Sequence, residues 1–170
     1  MLDVESSQGL MMLDVVVKLA FGKEQRAALR NEYEIYRLLR SKGVVRCIAT
    51  VLGLFDDFEG GPSALVMLYA GGSLGPEPER PLSVDERWVI SQKMRPSRKL
   101  ILISKHSEAA LTTLKSVHQV GILHGDIRHQ NILVGNSGVT IIDFAYSRRC
   151  KSRLKKGEEY RQLRSLLKVV

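Results

Sequence analysis

The stretch that decides the fold of this chain is His124-Gly-Asp-Ile-Arg-His-Gln-Asn-Ile-Leu133, followed closely by Ile141-Ile-Asp-Phe144. It sets the carboxylate of Asp126, the amide of Asn131 and the carboxylate of Asp143 among apolar residues. Carboxylate and amide oxygens are the hard ligands that Mg²⁺ prefers, and a carboxylate beside them can accept a proton from a hydroxyl group. The pattern therefore predicts phosphate chemistry at a metal ion.

The residues around this motif predict a β-hairpin. Asn131 to Val134 and Val139 to Ile142 have strand composition, and Gly135-Asn-Ser-Gly138 between them has turn composition. Such a hairpin would hold the two carboxylate-bearing segments at a defined separation.

An upstream lysine and glutamate predict an ion pair. Val15-Val-Val-Lys18-Leu-Ala20 is an apolar, β-branched run interrupted by one lysine. Residues 23–40 read as a helix, and Glu32 falls on its apolar stripe. The stripe comprises Ala28, Glu32, Ile35 and Leu39. Because an unpaired buried charge is costly, we expect Lys18 and Glu32 to satisfy each other.

Together these segments resemble the protein-kinase-like superfamily. The loop at 124–131 reads H-G-D-x-x-x-x-N, where typical protein kinases have H-R-D. The H-G-D form is similar to aminoglycoside phosphotransferases, choline kinases and a group of fungal kinase-like proteins. The combination with Ile-Ile-Asp-Phe most resembles the fungal group.

The resemblance implies a role for each polar residue of the motifs. Asp126 would be the catalytic base of the loop that Asn131 completes, and Asn131 and Asp143 would bind Mg²⁺. Lys18, paired with Glu32, would reach the α- and β-phosphates of ATP. The acceptor would be a hydroxyl group on a protein or a small molecule.

The same resemblance assigns an adenine site and a structural histidine. Residues 63–69 form a predicted strand that leads into a hinge. Met67 would face the back of the adenine pocket, and Leu68, Tyr69 and Ala70 would line the hinge. His124 would brace the catalytic loop against Phe144.

Three departures from the family pattern leave a second function open. A single glycine, Gly9, precedes the lysine strand, so we expect a truncated or absent phosphate lid. Ala145 replaces the usual glycine after Asp-Phe, and Gly125 replaces the arginine that reads activation-loop phosphate. Control by phosphorylation of that loop is therefore not expected. The alternative is a pseudokinase, a nucleotide-binding or protein-interaction module with little or no turnover.

The predicted fold is α+β, a minimal, truncated protein kinase-like bilobal fold in one domain, residues 1–170. Residues 1–74 would form the N-lobe and hinge, 75–106 a linker or insertion, and 107–170 a truncated C-lobe. Helices are predicted over 107–120, with Ser107 as N-cap, and over 158–170. Residues 99–104 read as strand-like, within an insertion at 88–106.

Composition narrows the cellular setting. With 44% hydrophobic residues, no apolar run long enough to span a membrane and two distant cysteines, the chain reads as an intracellular protein, cytoplasmic or nuclear. Its net charge is +8, partly from a basic run at 148–156. That run fits an acidic substrate, nucleic acid or a nuclear-import signal; we favour a solvated, mobile segment and do not expect a nucleic-acid partner. Oligomeric state is left open.

Overall fold

The computed structural model describes residues 13–57, 61–74, 96–135 and 138–167. These residues form a mixed α+β fold, which confirms the predicted class. Their helices are α1 (Lys23–Ser41), α2 (Pro96–Gln119) and α3 (Arg153–Leu166). Their strands are β1 (Val15–Ala20), β2 (Val51–Asp56), β3 (Ser63–Leu68), β4 (Gly72–Ser73), β5 (Ile122–Leu123), β6 (Ile132–Gly135), β7 (Gly138–Ile141) and β8 (Arg148–Arg149).

The first half of the chain is an antiparallel sheet covered by one helix. Its strand order is β1-β3-β2, and Lys18 lies opposite Leu65. Alternate residues of β3 are buried, as expected for a sheet with one face against the core. That face packs on α1, whose buried residues are Leu29, Glu32, Ile35, Tyr36 and Leu39. The predicted helical stripe is thus the face that carries Glu32 into the interior.

The second half packs short strands on α2. Strands β4, β6 and β7 form one antiparallel sheet, and β5 and β8 form another. The α2 residues that enter the core are Ala110, Leu111, Leu114, Val117 and His118, as their spacing predicts. Burying each large aliphatic side chain contributes about 1.5–3 kcal/mol, so this stripe is a major stabilising element.

The predicted start of α2 is wrong. The helix begins at Pro96, so Ser107 is a buried residue within it rather than an N-cap. The strand-like reading of residues 99–104 is also wrong, because these residues are helical. A short apolar run cannot be assigned to strand or helix from periodicity alone. The useful signal was Pro96, since proline is favoured at the first helical position. The remainder of the expected insertion, residues 88–95, lies outside the described residues.

The last helix also begins earlier than predicted. It starts after Ser152, whose hydroxyl oxygen accepts a hydrogen bond from the Lys155 backbone N–H, and it is described as far as Leu166. The basic run at 148–156 is therefore not an irregular segment. It supplies β8 and the first turn of α3, although most of its side chains are exposed.

The 132–141 hairpin matches its prediction within one residue at each boundary. Residues 136–137 of the turn lie outside the described residues. The hairpin is joined to the chain after β3 by a close backbone approach at Gly71. This residue has a φ of +120°, and an added Cβ would lie 2.3 Å from the Val134 carbonyl oxygen. Only glycine fits such a position without displacing the hairpin.

None of the helices in the described part of the chain has both the length and the apolarity needed to cross a bilayer.

We predict that Gly71→Ala lowers the free energy of unfolding by about 1–3 kcal/mol, because it adds backbone strain and a steric clash. Gly72→Ala is the matched control, since nothing lies within 4 Å of its added Cβ. Urea denaturation of both variants checks the prediction. Equal losses at the two positions would contradict it.

Candidate active site

The ammonium group of Lys18 joins three segments of the chain. Its Nζ lies 2.8 Å from Glu32 Oε2 on α1 and 2.9 Å from Asp143 Oδ1 after β7. The Lys18 side chain is 38% exposed, whereas that of Glu32 is 1% exposed. The expected lysine–glutamate contact is thus present, with the lysine at the edge of the core and the glutamate inside it.

Burial and ion pairing shift the pKa of Lys18 in opposite directions, and the same is true of the pKa of Glu32. Burial lowers the pKa of Lys18, but hydrogen bonds and charges from Asp143 and Glu32 outweigh it, so this pKa lies above its ordinary value. Burial raises the pKa of Glu32 above its ordinary value, and Lys18 offsets that only in part. Glu32 Oε1 is buried without a well-formed hydrogen bond within the described residues, although the Phe144 backbone N–H also acts to lower the pKa of this carboxyl. Burying this carboxylate is therefore only partly compensated.

Asp143 has an uncommon backbone conformation. Its φ is +66°, in the left-handed region that Asp adopts more readily than most residues. Its backbone N–H donates to the Tyr36 hydroxyl oxygen at 3.3 Å, and the Tyr36 ring meets Phe144 edge-on with ring centroids 5.1 Å apart. Burial raises the pKa of Tyr36 well above its ordinary value, so the hydroxyl stays protonated. Helix α1 is thus linked to Asp143 in two ways. Tyr36 contacts it directly, and Glu32 is linked to it through the ammonium group of Lys18.

The motif at residues 124–131 forms its own hydrogen-bonded unit. Asn131 Nδ2 donates to the backbone oxygen and to Oδ2 of Asp126, both at 2.9 Å. The guanidinium of Arg128 lies 3.0 Å from the same Asp126 oxygen. Within the described residues Asn131 Oδ1 accepts no hydrogen bond, so this oxygen is the one left for a cation.

Backbone bonds connect this loop to the Asp143 segment. The Ile142 N–H donates to the Asn131 carbonyl oxygen at 3.0 Å, one end of the β6–β7 ladder. His124 Nε2 lies 3.0 Å from the Ile142 carbonyl oxygen, and its ring centroid lies 4.6 Å from that of Phe144. Burial lowers the pKa of His124. A neutral His124 therefore braces the two segments, in the structural role that the sequence predicted.

The two side-chain oxygens left over, one from Asn131 and one from Asp143, would suit a Mg²⁺ ion whose other ligands are water and phosphate. Asn131 Oδ1 and Asp143 Oδ2 are hard oxygens at the ends of the one hairpin, while Asp143 Oδ1 is taken by Lys18. Among the described residues, no three His, Cys, Asp or Glu side chains converge on one point. Mg²⁺ usually keeps several waters and takes few protein ligands alongside substrate phosphates, so two protein oxygens are sufficient.

The predicted hinge is only partly available to a ligand. Met67 is buried on the Lys18 face of β3, two residues after Leu65. The Leu68 N–H donates to the Thr50 carbonyl oxygen, and the Tyr69 N–H donates to that of Asp14. The Tyr69 side chain is exposed. Adenine contacts at this segment would therefore use other groups, such as those of Ala70.

Glu159 is a site residue that the sequence analysis missed. Its Oε1 accepts from the Gly125 N–H at 2.6 Å, and its Oε2 accepts from the His124 N–H at 3.1 Å and contacts His118 Nε2 at 2.8 Å. Burial favours a higher pKa for Glu159, but the bonds from His118, Gly125 and His124 outweigh it and lower the pKa. Glu159 lies four residues before Leu163, so it falls on the inward face of the predicted helix. This spacing could have identified it from the sequence.

Gly125 is required by the geometry of the loop. Its φ is +88°, and an added Cβ would lie 2.5 Å from the Tyr146 carbonyl oxygen. The glycine of H-G-D thus allows the loop to pass against the chain that follows Asp143.

We predict that Glu159→Gln lowers the free energy of unfolding by about 1.5–3 kcal/mol, because an amide NH₂ would face a backbone N–H donor. Glu158→Gln is the matched control, since the side chain of Glu158 is exposed. Urea denaturation at pH 7 measures both. A loss no larger than that of the control would contradict a stabilising role for the Glu159 hydrogen bonds.

We also predict that the Glu159 contribution is pH-dependent. Its pKa is lowered in the folded state, so its stabilisation is complete above the ordinary value of about 4.5 and is lost as pH falls through the folded-state pKa. The difference in unfolding free energy between wild type and Glu159→Gln should therefore shrink below about pH 4.5. Urea denaturation from pH 7 to pH 3.5 measures it, and a constant difference would exclude this linkage.

Comparison with known proteins adds one similarity. No protein-family model matches the chain. The chain is 28% identical over 145 residues to the MAP kinase kinase MKK1/SSP32 of Saccharomyces cerevisiae, a match covering 85% of this chain and 26% of the yeast protein. The chain thus spans about a quarter of the length of that curated relative. The similarity points to a kinase-like relationship.

Proposed function

We propose that the chain is an ATP-dependent phosphotransferase of the protein kinase-like type, which transfers a γ-phosphate to a hydroxyl acceptor. The observation that carries this proposal is the position of Lys18 Nζ between Glu32 and Asp143, within 2.9 Å of both. These residues come from three separate segments, and the resemblance to the protein-kinase-like superfamily implies nucleotide binding for all three. The similarity to a MAP kinase kinase supports the same chemistry.

In the proposed mechanism each residue has one task. Lys18 neutralises the inner phosphates, and Glu32 holds its ammonium in place. Asn131 and Asp143 would hold Mg²⁺, which would supply charge neutralisation at the phosphates. Asp126 orients the acceptor hydroxyl and accepts its proton. Rate enhancement would come mainly from positioning and from electrostatic stabilisation.

Several finer assignments belong to the same proposal. Met67, Leu68, Tyr69 and Ala70 would border the adenine, with residues 1–74 and 107–170 as the two lobes. The H-G-D form leaves a protein Ser/Thr or a small molecule as acceptor. An intracellular location fits the two free cysteines, Cys47 and Cys150.

The second candidate is a nucleotide-binding or protein-interaction module with little turnover. One observation favours it: the Asp126 carboxylate is already engaged by Asn131 and Arg128. Both contacts are to Oδ2, so a substrate proton would have to be accepted by the other oxygen, Oδ1.

We predict that wild type binds ATP with Mg²⁺ and that Lys18→Met weakens binding about tenfold or more, because the phosphates lose a charge partner. Lys23→Met is the matched control, because Lys23 is an exposed lysine at the start of α1, and it should bind like wild type. Isothermal titration calorimetry measures all three. Absence of ATP binding by folded wild type would overturn the phosphotransferase and would leave, of the second candidate, only the protein-interaction module.

Turnover then separates the two candidates. We expect Asp126→Asn to keep ATP binding and to reduce phosphate transfer by roughly 10²–10⁴-fold, because the proton acceptor is lost. Transfer of labelled γ-phosphate to a mixed panel of peptide and aminoalcohol acceptors is the measurement. Binding without transfer by wild type would favour the interaction module.

A further inference from the structure

Helix α1 makes a further contact with the chain that follows Asp143, through the side chain of Asn31. Asn31 Nδ2 donates hydrogen bonds to the carbonyl oxygens of Ala145 at 3.0 Å and of Ser147 at 3.2 Å. Asn31 directly precedes Glu32 in the helix, yet its side chain is exposed whereas that of Glu32 is buried. Two adjacent residues of α1 thus serve the two sides of the candidate active site.

The chemistry of this contact requires an amide. A side-chain NH₂ group carries two N–H donors and can serve two carbonyl oxygens at once, whereas a hydroxyl group carries one donor and a carboxylate carries none. Asparagine also has a lower helix propensity than leucine or glutamine, so the helix itself does not favour it at this position. The bonds to Ala145 and Ser147, rather than the stability of α1, therefore account for Asn31.

The chain that Asn31 holds begins at a residue with an unfavourable backbone conformation. The φ of Asp143 is +66°, and a non-glycine residue persists in this region only where its surroundings hold it there. The Tyr36 hydroxyl oxygen accepts from the Asp143 N–H at 3.3 Å, and Asn31 binds carbonyls two and four residues further along the chain. Helix α1 thus fixes the backbone on both sides of the Asp143 side chain.

The H-G-D loop contacts the same stretch of chain. The Ser147 hydroxyl donates to the His124 carbonyl oxygen at 2.8 Å, and the Tyr146 carbonyl oxygen lies close to the backbone of Gly125. Residues 145–147 therefore lie between the loop and α1. The bonds from Asn31 keep this stretch against the helix, while the loop holds it from the other direction.

We propose that Asn31 is a positioning residue for Asp143: it fixes residues 143–147 against α1 and so keeps Asp143 Oδ2 where the Mg²⁺ ion of bound ATP would meet it. This inference rests on the proposed function. Asn31 does not contact the nucleotide itself, and the bond from Lys18 to Glu32 at 2.8 Å forms without it. Loss of the amide therefore weakens binding of the Mg²⁺ complex of ATP more than binding of ATP alone.

Isothermal titration calorimetry with ATP, in Mg²⁺ and in EDTA, tests this difference. Asn31→Leu removes both donors and should weaken binding in Mg²⁺ about threefold or more but binding in EDTA less than about twofold. Asn31→Gln keeps the NH₂ group and should restore most of the affinity gained from Mg²⁺. The matched control, Ala27→Leu, places an exposed leucine one turn earlier on α1 and should bind like wild type in both conditions.

Amide hydrogen exchange of the nucleotide-free chain gives a readout that does not require ATP. We expect Asn31→Leu to speed exchange in residues 143–149 about threefold or more, because fewer bonds hold this segment closed. Exchange in Asn31→Gln and in Ala27→Leu should stay near that of wild type.

The outcomes separate this inference from the proposed function. Unchanged exchange in Asn31→Leu, or equal losses of affinity in Mg²⁺ and in EDTA, would overturn the positioning role and leave the phosphotransferase standing. No rescue by Asn31→Gln, or an equal effect of Ala27→Leu, would overturn it as well. Failure of wild type to bind ATP in either condition would instead overturn the phosphotransferase, and the positioning role with it.

Discussion

The ion pair from Lys18 to Glu32 and Asp143 is the constraint on which the site geometry depends. It connects the first sheet, helix α1 and the segment after β7 through one ammonium group. The Lys18 side chain is more than one-third exposed, so solvent screens the pair and its contribution to stability is modest. Its main effect is positional: strand β1 cannot shift along α1 without separating the lysine from one of its two carboxylates.

The same region contains two locally unfavourable features, while Cys47 is a second non-glycine residue of the described chain with a left-handed backbone. Glu32 has one carboxylate oxygen that is buried without a well-formed hydrogen bond, and Asp143 has a left-handed backbone. Each feature costs free energy that packing elsewhere must offset. Such costs concentrate where residues are arranged for a ligand rather than for stability. Their coincidence at Lys18 supports the assignment of this cluster as the functional site.

Prediction from the sequence succeeded where a buried charge required a partner and the periodic pattern of apolar residues placed that charge in the core. A glutamate on an apolar helical stripe and a lysine in an apolar strand each required a partner, so the contact between Lys18 and Glu32 was predictable. The hairpin after Asn131 was predictable because its turn residues are distinctive. The start of α2 was not, since residues 99–104 suit either a strand or a helix. Glu159 was missed because its three partners come from distant positions and have no signature of their own.

The close backbone approach at Gly125 limits which residues can replace this glycine. A substitution that introduces arginine there, as in the commoner H-R-D form, would force the backbone away from Tyr146 and the carbonyl that faces it. The surrounding chain would have to rearrange first. Glycine at position 125 is therefore fixed by the packing of this loop against Tyr146, and a side chain there would first require that packing to change.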